Sequence, residues 1–493
     1  MRTVTAAILA LVFAGRALAA DPAAESAQAW RTLTRNDVEA HYRLLKENHP
    51  GAAAEAQDPG FVATLEAAHA QALARAATVD GVFGYVATVT GFARAFGDSH
   101  INNGQVIQPR TVSWPGIVAA RRGETWVVAA DDPKIAGREL RGAEIVSCDG
   151  RPFGDLAHDA LAFHGDAASP AELILFGNWT LVDDHNPFLK VPQSCLLRQD
   201  GAETTLPLKW TPIAYTTLRQ QYWKTPVGHP GFGVRQAAGG GWWISIEHLD
   251  AGAQPVIAEV KAKIDQIRGG AFVVVDLRGN GGGNDAYGLE LAQTLMGQAY
   301  VDDVLGPQSG EGDCDTVFRA SAENEAALAK AAAAFARTGD TAGQRGYERG
   351  ARAVAAARAK GKGLTGAPRC SSPPKPAVTH ASLARAPIVI LTDVACFSSC
   401  IQMTQFFRDL GAAHAGQVTG ADSHYSEYRD IVLPSGLSSA STLMGLMPDA
   451  PARIGPFVPR FVYAGDIADT AALEAWVQAV VLPAVRQPAA GRS

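Results

Sequence analysis

A chain of 493 residues, with 47% hydrophobic and 19% charged side chains, can hold two or three domains and bury a large core. Its net charge of −6 comes from both signs dispersed along the chain, which excludes the basic stripe of a nucleic-acid-binding surface. No stretch beyond the first residues approaches the ~18 apolar residues of a membrane span.

Met1-Arg2 opens with a positive charge, an apolar run reaches Phe13, and Ala17-Leu18-Ala19 ends in small residues. This is the pattern of a secretory signal over residues 1–20, cleaved near Ala19 or Ala20. It implies a periplasmic or extracellular mature protein, where disulfides form. Six cysteines allow 15 pairings. Closeness along the chain favours Cys148–Cys195, Cys314–Cys370 and Cys396–Cys400. No CxxC pair or HExxH occurs, and none of the 12 histidines has a partner at ligand spacing, so no metal or other cofactor is expected.

The mature N-terminal region, 21–105, reads as helical. Thr34 caps a run with Val38, Tyr42, Leu44 and Leu45 that stops at His49-Pro50, leaving His49 as a surface or packing residue. Two further helices cover about 60–76 and 79–95, and Gly97-Asp98-Ser99-His100 follows at the hinge to a β-rich region over 106–212. There a strand reaching Cys148 turns at Asp149-Gly150. The third region, 213–485, alternates strand and helix. Gly241 to Leu249 is a strand, Val256, Ile257, Val260 and Ile264 mark one helix face, and Ala271 to Arg278 is a buried strand running into Gly279-Asn-Gly-Gly-Gly283. That is a βαβ signature, and a strand around 387–392 extends its sheet. Residues 305–385 read as an insertion, either a lid or a solvated helical hairpin. A last helix starts near Thr470. The fold class is therefore α/β (α+β) and multidomain.

Two motifs carry chemistry. Ile388-Val-Ile-Leu391 runs through Cys396-Phe-Ser-Ser-Cys400 into a helical pattern, which puts a serine on a strand-to-helix turn beside unpaired helix N–H groups. The alternative is that Ser398 and Ser399 only cap the helix. In the second motif three consecutive glycines after a Val-Val-Val strand permit close approach of a backbone N–H, with Asn280 tolerating the left-handed region and bracing the turn. A phosphate loop is excluded, because neither Gly-Lys-Ser/Thr nor GxGxxG is present.

Asp276-Leu-Arg-Gly-Asn-Gly-Gly-Gly283, with Phe397-Ser-Ser-Cys400 and the strand expected at Leu433-Pro-Ser-Gly436, resembles the tail-specific (C-terminal processing) serine peptidase family, in its tricorn-like branch. The likeness spans about 34–480 and implies a helical N-terminal part, a PDZ-like middle and an α/β catalytic core. It also implies acyl transfer from peptide or unfolded-protein substrates. Matched turn to turn, Ser398 falls on the nucleophile, with Ser399 as the alternative. The oxyanion hole falls on the N–H of Ser399 and that of Gly282 or Gly283. The family's acidic residue three positions after the serine is missing, since Ile401 and Gln402 stand there.

Processing peptidases of the family use a lysine as base, and Gln417 to Glu427 contains none. The tricorn-like branch uses a histidine preceded by a serine, which Gly97-Asp-Ser-His100 matches, so His100 is the implied base and Ser99 an orienting residue. His424 is a rival base. The orienting glutamate of that branch falls at Gly455, which leaves Glu427 or Asp449 as substitutes. A site lacking the acid would leave a weak or inactive peptide- or ligand-binding protein on the same scaffold, whose relatives include retinoid binders. The sequence carries no reading of oligomeric state.

Overall fold

A computed structural model describes residues 26–486, except 105–106, 108–109, 223–224, 307–314 and 371–376. The stretch expected to be a secretory signal, and Cys314 with the pairing expected for it, lie outside the described residues. Among the described residues no helix is long and apolar enough to cross a membrane.

The first helix is Ala27–Asn48, capped by Ser26 rather than Thr34. Thr34 is buried inside it and donates its hydroxyl to the Trp30 carbonyl at 2.7 Å. The start lies upstream because Trp30 joins Val38, Tyr42 and Leu45 in the same apolar cluster. Helices Pro59–Ala76 and Val82–Arg94 complete this layer. His49 is a packing residue, buried and stacked on Phe61 with ring centroids 4.1 Å apart.

The middle region is an antiparallel sheet of Ile117–Arg122, Thr125–Asp131, Glu144–Cys148, Ser194–Gln199 and Ala202–Pro207, in that order, with helices Phe153–His164 and Pro170–Phe176 beside it. Asp149 and Gly150 both take positive φ, 48° and 78°, and so turn the chain after Cys148. Cys148 faces Cys195 across two paired strands and is bonded to it.

The site rests on a six-stranded sheet. Its order is Phe461–Val462, Ala413–Gly416, Ile388–Thr392, Val273–Asp276, Gly241–Ile246, Phe232–Ala237. All neighbours are parallel except the last pair. The two central strands are buried at every position, as their unbroken β-branched runs require when helices cover both faces. Ile244, Val275 and Ile390 face the helices Ala253–Ala262, Ala286–Met296 and Ser399–Asp409, while Trp243, Val274 and Leu391 face the C-terminal helix Thr470–Trp476.

The Leu433–Gly436 stretch is a turn, not a strand. It joins Tyr425–Val432 to Ser439–Leu446 in an antiparallel hairpin, with Gly436 at φ 71°. Pro434 has no N–H to give a ladder, which suits it to a turn. Within the insertion, helices Ala322–Thr338 and Thr341–Ala359 pack Leu328 and Val354 against Met444 of this hairpin. The helical pair is thus docked rather than merely solvated.

Candidate active site

The Ile388–Thr392 strand ends beneath the turn that carries Ser398. Ser398 has φ 54° and ψ −130°, a conformation that costs a non-glycine residue on the order of 1–3 kcal/mol. It is the N-cap of helix Ser399–Asp409, yet its side chain makes no capping bond. Its hydroxyl is therefore not spent on the helix, while that of Ser399 is engaged by the glycine loop, donating to the Gly283 carbonyl at 2.8 Å. The bonded pair Cys396–Cys400, with Cα atoms 5.3 Å apart, brackets the turn from inside the core. The Gly420 N–H adds a bond to the Cys396 carbonyl at 2.9 Å.

The glycine loop leaves the adjacent strand, Val273–Asp276. Positive φ falls on Gly279 (74°), Gly282 (101°) and Gly283 (140°), and not on Asn280. Asn280 braces the loop through its buried side chain instead, donating to the Ile246 carbonyl (2.9 Å) and accepting the Gly282 N–H (2.8 Å). Gly282 thus has its N–H occupied. Leu249 donates its N–H to the Gly282 carbonyl and accepts the Asn284 N–H, which leaves the N–H of Gly283 outside that pairing. The N–H groups of Gly283 and Ser399 have no acceptor among the described residues. A residue the motif reading passed over, Asp393, accepts the N–H groups of Gly228 (2.8 Å), Gly279 (2.9 Å) and Ala395 (3.0 Å), and so ties the glycine loop to the strand that leads to Ser398. Burial pushes its carboxyl up to about 6, against the pull of those three donors.

Gly282 is needed for close approach. A Cβ there would lie 2.7 Å from the Phe397 carbonyl oxygen, 2.9 Å from Ser398 Cβ and 3.0 Å from the Ser399 nitrogen, on a backbone with φ 101°. Gly282→Ala must push the loop off the Ser398 turn. Misplacing a positioned group by about 1 Å costs ~10²-fold and losing an oxyanion donor ~10²–10³-fold, so kcat on a peptide substrate should fall by that order. An unchanged kcat would show that this contact does not hold the two loops in register.

His100 reaches the turn from the N-terminal layer. After helix Val82–Arg94 the chain bends at Gly97, φ 61°. The carbonyl of His100 and the N–H of Asn102 both bond Ser441 Oγ, at 2.6 and 2.8 Å, which fixes the segment on the Ser439–Leu446 strand. The ring then places Nε2 3.4 Å from Ser398 Oγ. Its Nδ1 lies 3.1 Å from Asp98 Oδ1 and 3.1 Å from Asp422 Oδ1.

These two carboxylates replace the expected acids. Glu427 accepts from the Tyr347 hydroxyl at 2.8 Å, and Asp449 is exposed beyond the hairpin; neither partners His100. Ser99 gives no side-chain bond to the ring, and its carbonyl accepts from Asn102 Nδ2 at 3.0 Å. His424 packs edge-on against Tyr425 and is held below the ordinary imidazole range by burial, with no bond to either serine. Asp422–Ser423 is a short strand paired with Arg453–Ile454, so Asp422 lies opposite Ile454, beside the Gly455 position where the resemblance puts the acid. The acid comes from the neighbouring strand instead. Asp98 was legible two places before His100, but Asp422 carried no local signal.

Residues 243–443, which hold the glycine loop, Ser398 and Asp422, match the family model described as Peptidase family S41. Over that span the chain is similar to family S41, and the match supports a serine-type peptidase. No curated protein matches the chain. Among solved structures, mature CPAF overlays 92% of this chain on 98% of its own at 14% identity, with a TM-score of 0.58, so the two share a fold. The photosystem II D1 C-terminal processing protease (13% identity, 87% of this chain and 92% of that one, TM-score 0.30) and the tricorn protease (11%, 93% and 37%, 0.34) also match, too loosely to add to the argument. His100 and its Asp98 partner lie outside the matched residues and join the S41 core through the Ser441 bonds.

Proposed function

We propose that this chain is an exported peptidase that cleaves peptide bonds through an acyl-enzyme on Ser398, with His100 as base. One observation carries the reading: His100 Nε2 faces Ser398 Oγ while, among the described residues, the N–H groups of Ser399 and, on the adjoining glycine loop, Gly283 have no acceptor. Ser398 Oγ attacks the substrate carbonyl carbon and its proton passes to Nε2. The carbonyl π electrons move onto oxygen, where the two N–H groups stabilise the charge. Collapse expels the amine, which takes the proton from Nε2 and leaves an ester on Ser398. Water then attacks the ester with His100 again accepting the proton, and the carboxylic acid leaves as Ser398 Oγ is reprotonated. A separation of 3.4 Å is loose, as such contacts are before substrate binds.

Export is supported by the leader pattern over 1–20 and by the two bonded cysteine pairs. Unfolded or short peptides are the substrate class the family implies. The rival reading, an inactive binding scaffold, rests on a missing acid and on the irregular residues after Ser398; the two carboxylates beside the ring weigh against the first of these. Fluorophosphonate labelling with the adduct mapped by mass spectrometry tests the proposal. Label on Ser398, lost in His100→Ala, is expected. Label on Ser399 would reassign the nucleophile, and no label on folded protein at any pH would return the chain to the binding reading.

A further inference from the structure

One imidazole nitrogen carries one proton, yet two carboxylate oxygens stand 3.1 Å from Nδ1 of His100. A single orienting acid is enough to fix the tautomer and to stabilise the imidazolium formed in the reaction. The second needs its own explanation. We propose that Asp422 and Asp98 act jointly as positioning residues for His100, and that their paired negative charge holds the resting ring as an imidazolium at neutral pH, so that the peptidase works in the alkaline range. This rests on the assignment of His100 as base.

The geometry is built from three separate parts of the chain. Asp98 follows the turn at Gly97, its Oδ1 also accepts the His100 N–H at 2.9 Å, and its Oδ2 accepts the Ser423 hydroxyl at 2.5 Å. Asp422 is set by the pairing of its strand with Arg453–Ile454, and Arg453 in turn reaches Asp166 of the middle region at 3.1 Å. Both carboxylates and the ring are largely shielded, with 8%, 11% and 22% of their side chains exposed, so solvent screens the attraction little.

Other ionisable groups pack around Asp98 and oppose this little. His49 is held down to about 3 by burial, and burial lowers His424 too, so both are neutral. Tyr425, neutral at any working pH, donates to Asp58 at 2.6 Å. Burial of His100 disfavours its charge, but the hydrogen bonds and charges of Asp422 and Asp98 outweigh that and raise it to about 10. At Asp98 burial is overcome by the hydrogen bonds and charge of His100 and by the Ser423 hydroxyl, which draw its carboxyl down to about 2. Asp98, His100 and Asp422 also lie close enough to offer a cation one atom each, and the shared Nδ1 proton accounts for that convergence.

A base must be neutral, so the rate climbs as pH rises towards the raised value and is small at pH 7. Removing one charge moves this limb downward, by about 1–3 units for a carboxylate at contact distance. Asp422→Asn keeps the side-chain shape and leaves Asp98 to hold the Nδ1 proton. Two readouts are needed: the imidazole titration of His100 by NMR, and the pH dependence of fluorophosphonate labelling. In the wild type both should show a limb well above 6.5, and in Asp422→Asn both should move down together. Asp98→Asn serves if the first variant does not fold. The double variant should lose about 10⁴-fold in labelling, as a serine site does without its orienting acid. A wild-type His100 that titrates near 6.5, or a limb that Asp422→Asn leaves in place, overturns the proposal. An elevated titration that drops in Asp422→Asn, with no labelling at any pH, would uphold the carboxylate pair and sink the peptidase assignment instead.

Discussion

Replacing Ser398 or His100 with alanine should lower peptide hydrolysis by roughly 10⁴–10⁶-fold, and replacing both should lower it little further. The two act as one unit, because the hydroxyl is a poor nucleophile until Nε2 takes its proton. Their 3.4 Å contact is the link between them. Once either is gone, the other has no transfer to make, and what remains is the contribution of the Ser399 and Gly283 N–H groups and of binding. The measurement is kcat/KM on an unfolded peptide at alkaline pH for both single variants and the double. Losses that multiplied would mean the two residues contribute independently. Stability should hardly move for Ser398→Ala, since its hydroxyl caps nothing and alanine keeps the Cβ.

Arg278→Met should cost about 3–5 kcal/mol of folding stability, because it leaves a buried charge unpaired. Arg278 and Asp276 are both fully buried. Asp276 Oδ1 accepts Nε at 2.9 Å, while Oδ2 accepts Nη2 at 2.8 Å and the Trp243 indole N–H at 2.9 Å. Nη1 donates onward to the Ile467 carbonyl at 2.7 Å, so the guanidinium ties the glycine-loop strand to the segment before the last helix. Methionine fills the stem but leaves the carboxylate with only the indole and the Arg278 backbone N–H. Denaturant unfolding of the variant measures the loss. Asp276→Asn combined with Arg278→Met should recover part of it, since the uncompensated charge is then gone. A loss below ~1 kcal/mol for the single variant would mean that the site relaxes to admit water.

The strands, the glycine loop and the serine turn were legible because each is fixed within about ten residues. An unbroken β-branched run is buried on both faces wherever it falls, as Val273–Asp276 and Ile388–Thr392 are. Adjacent glycines announce close approach, and Gly282 makes it. His100 was legible only through its likeness to a family pattern, since a single histidine after a helix has many uses. Errors of detail arose where a local preference met a tertiary contact. Thr34 is a good cap by type, but the packing of Trp30 extends the helix past it. Asn280 tolerates the left-handed region, yet Gly279 takes it and the amide serves as a brace.

The central sheet is written in local sequence, and so are the glycine loop and the Ser398 turn that it approaches. Which acids face His100 is set by contacts between distant segments. Asp98 and Asp422 are separated by more than three hundred residues, and the second is aimed by a two-residue strand pairing with Arg453–Ile454. Chain-local preferences cannot encode such a meeting. The free energy that holds it lies in hydrogen bonds and packing between segments, which exist only once those segments are assembled.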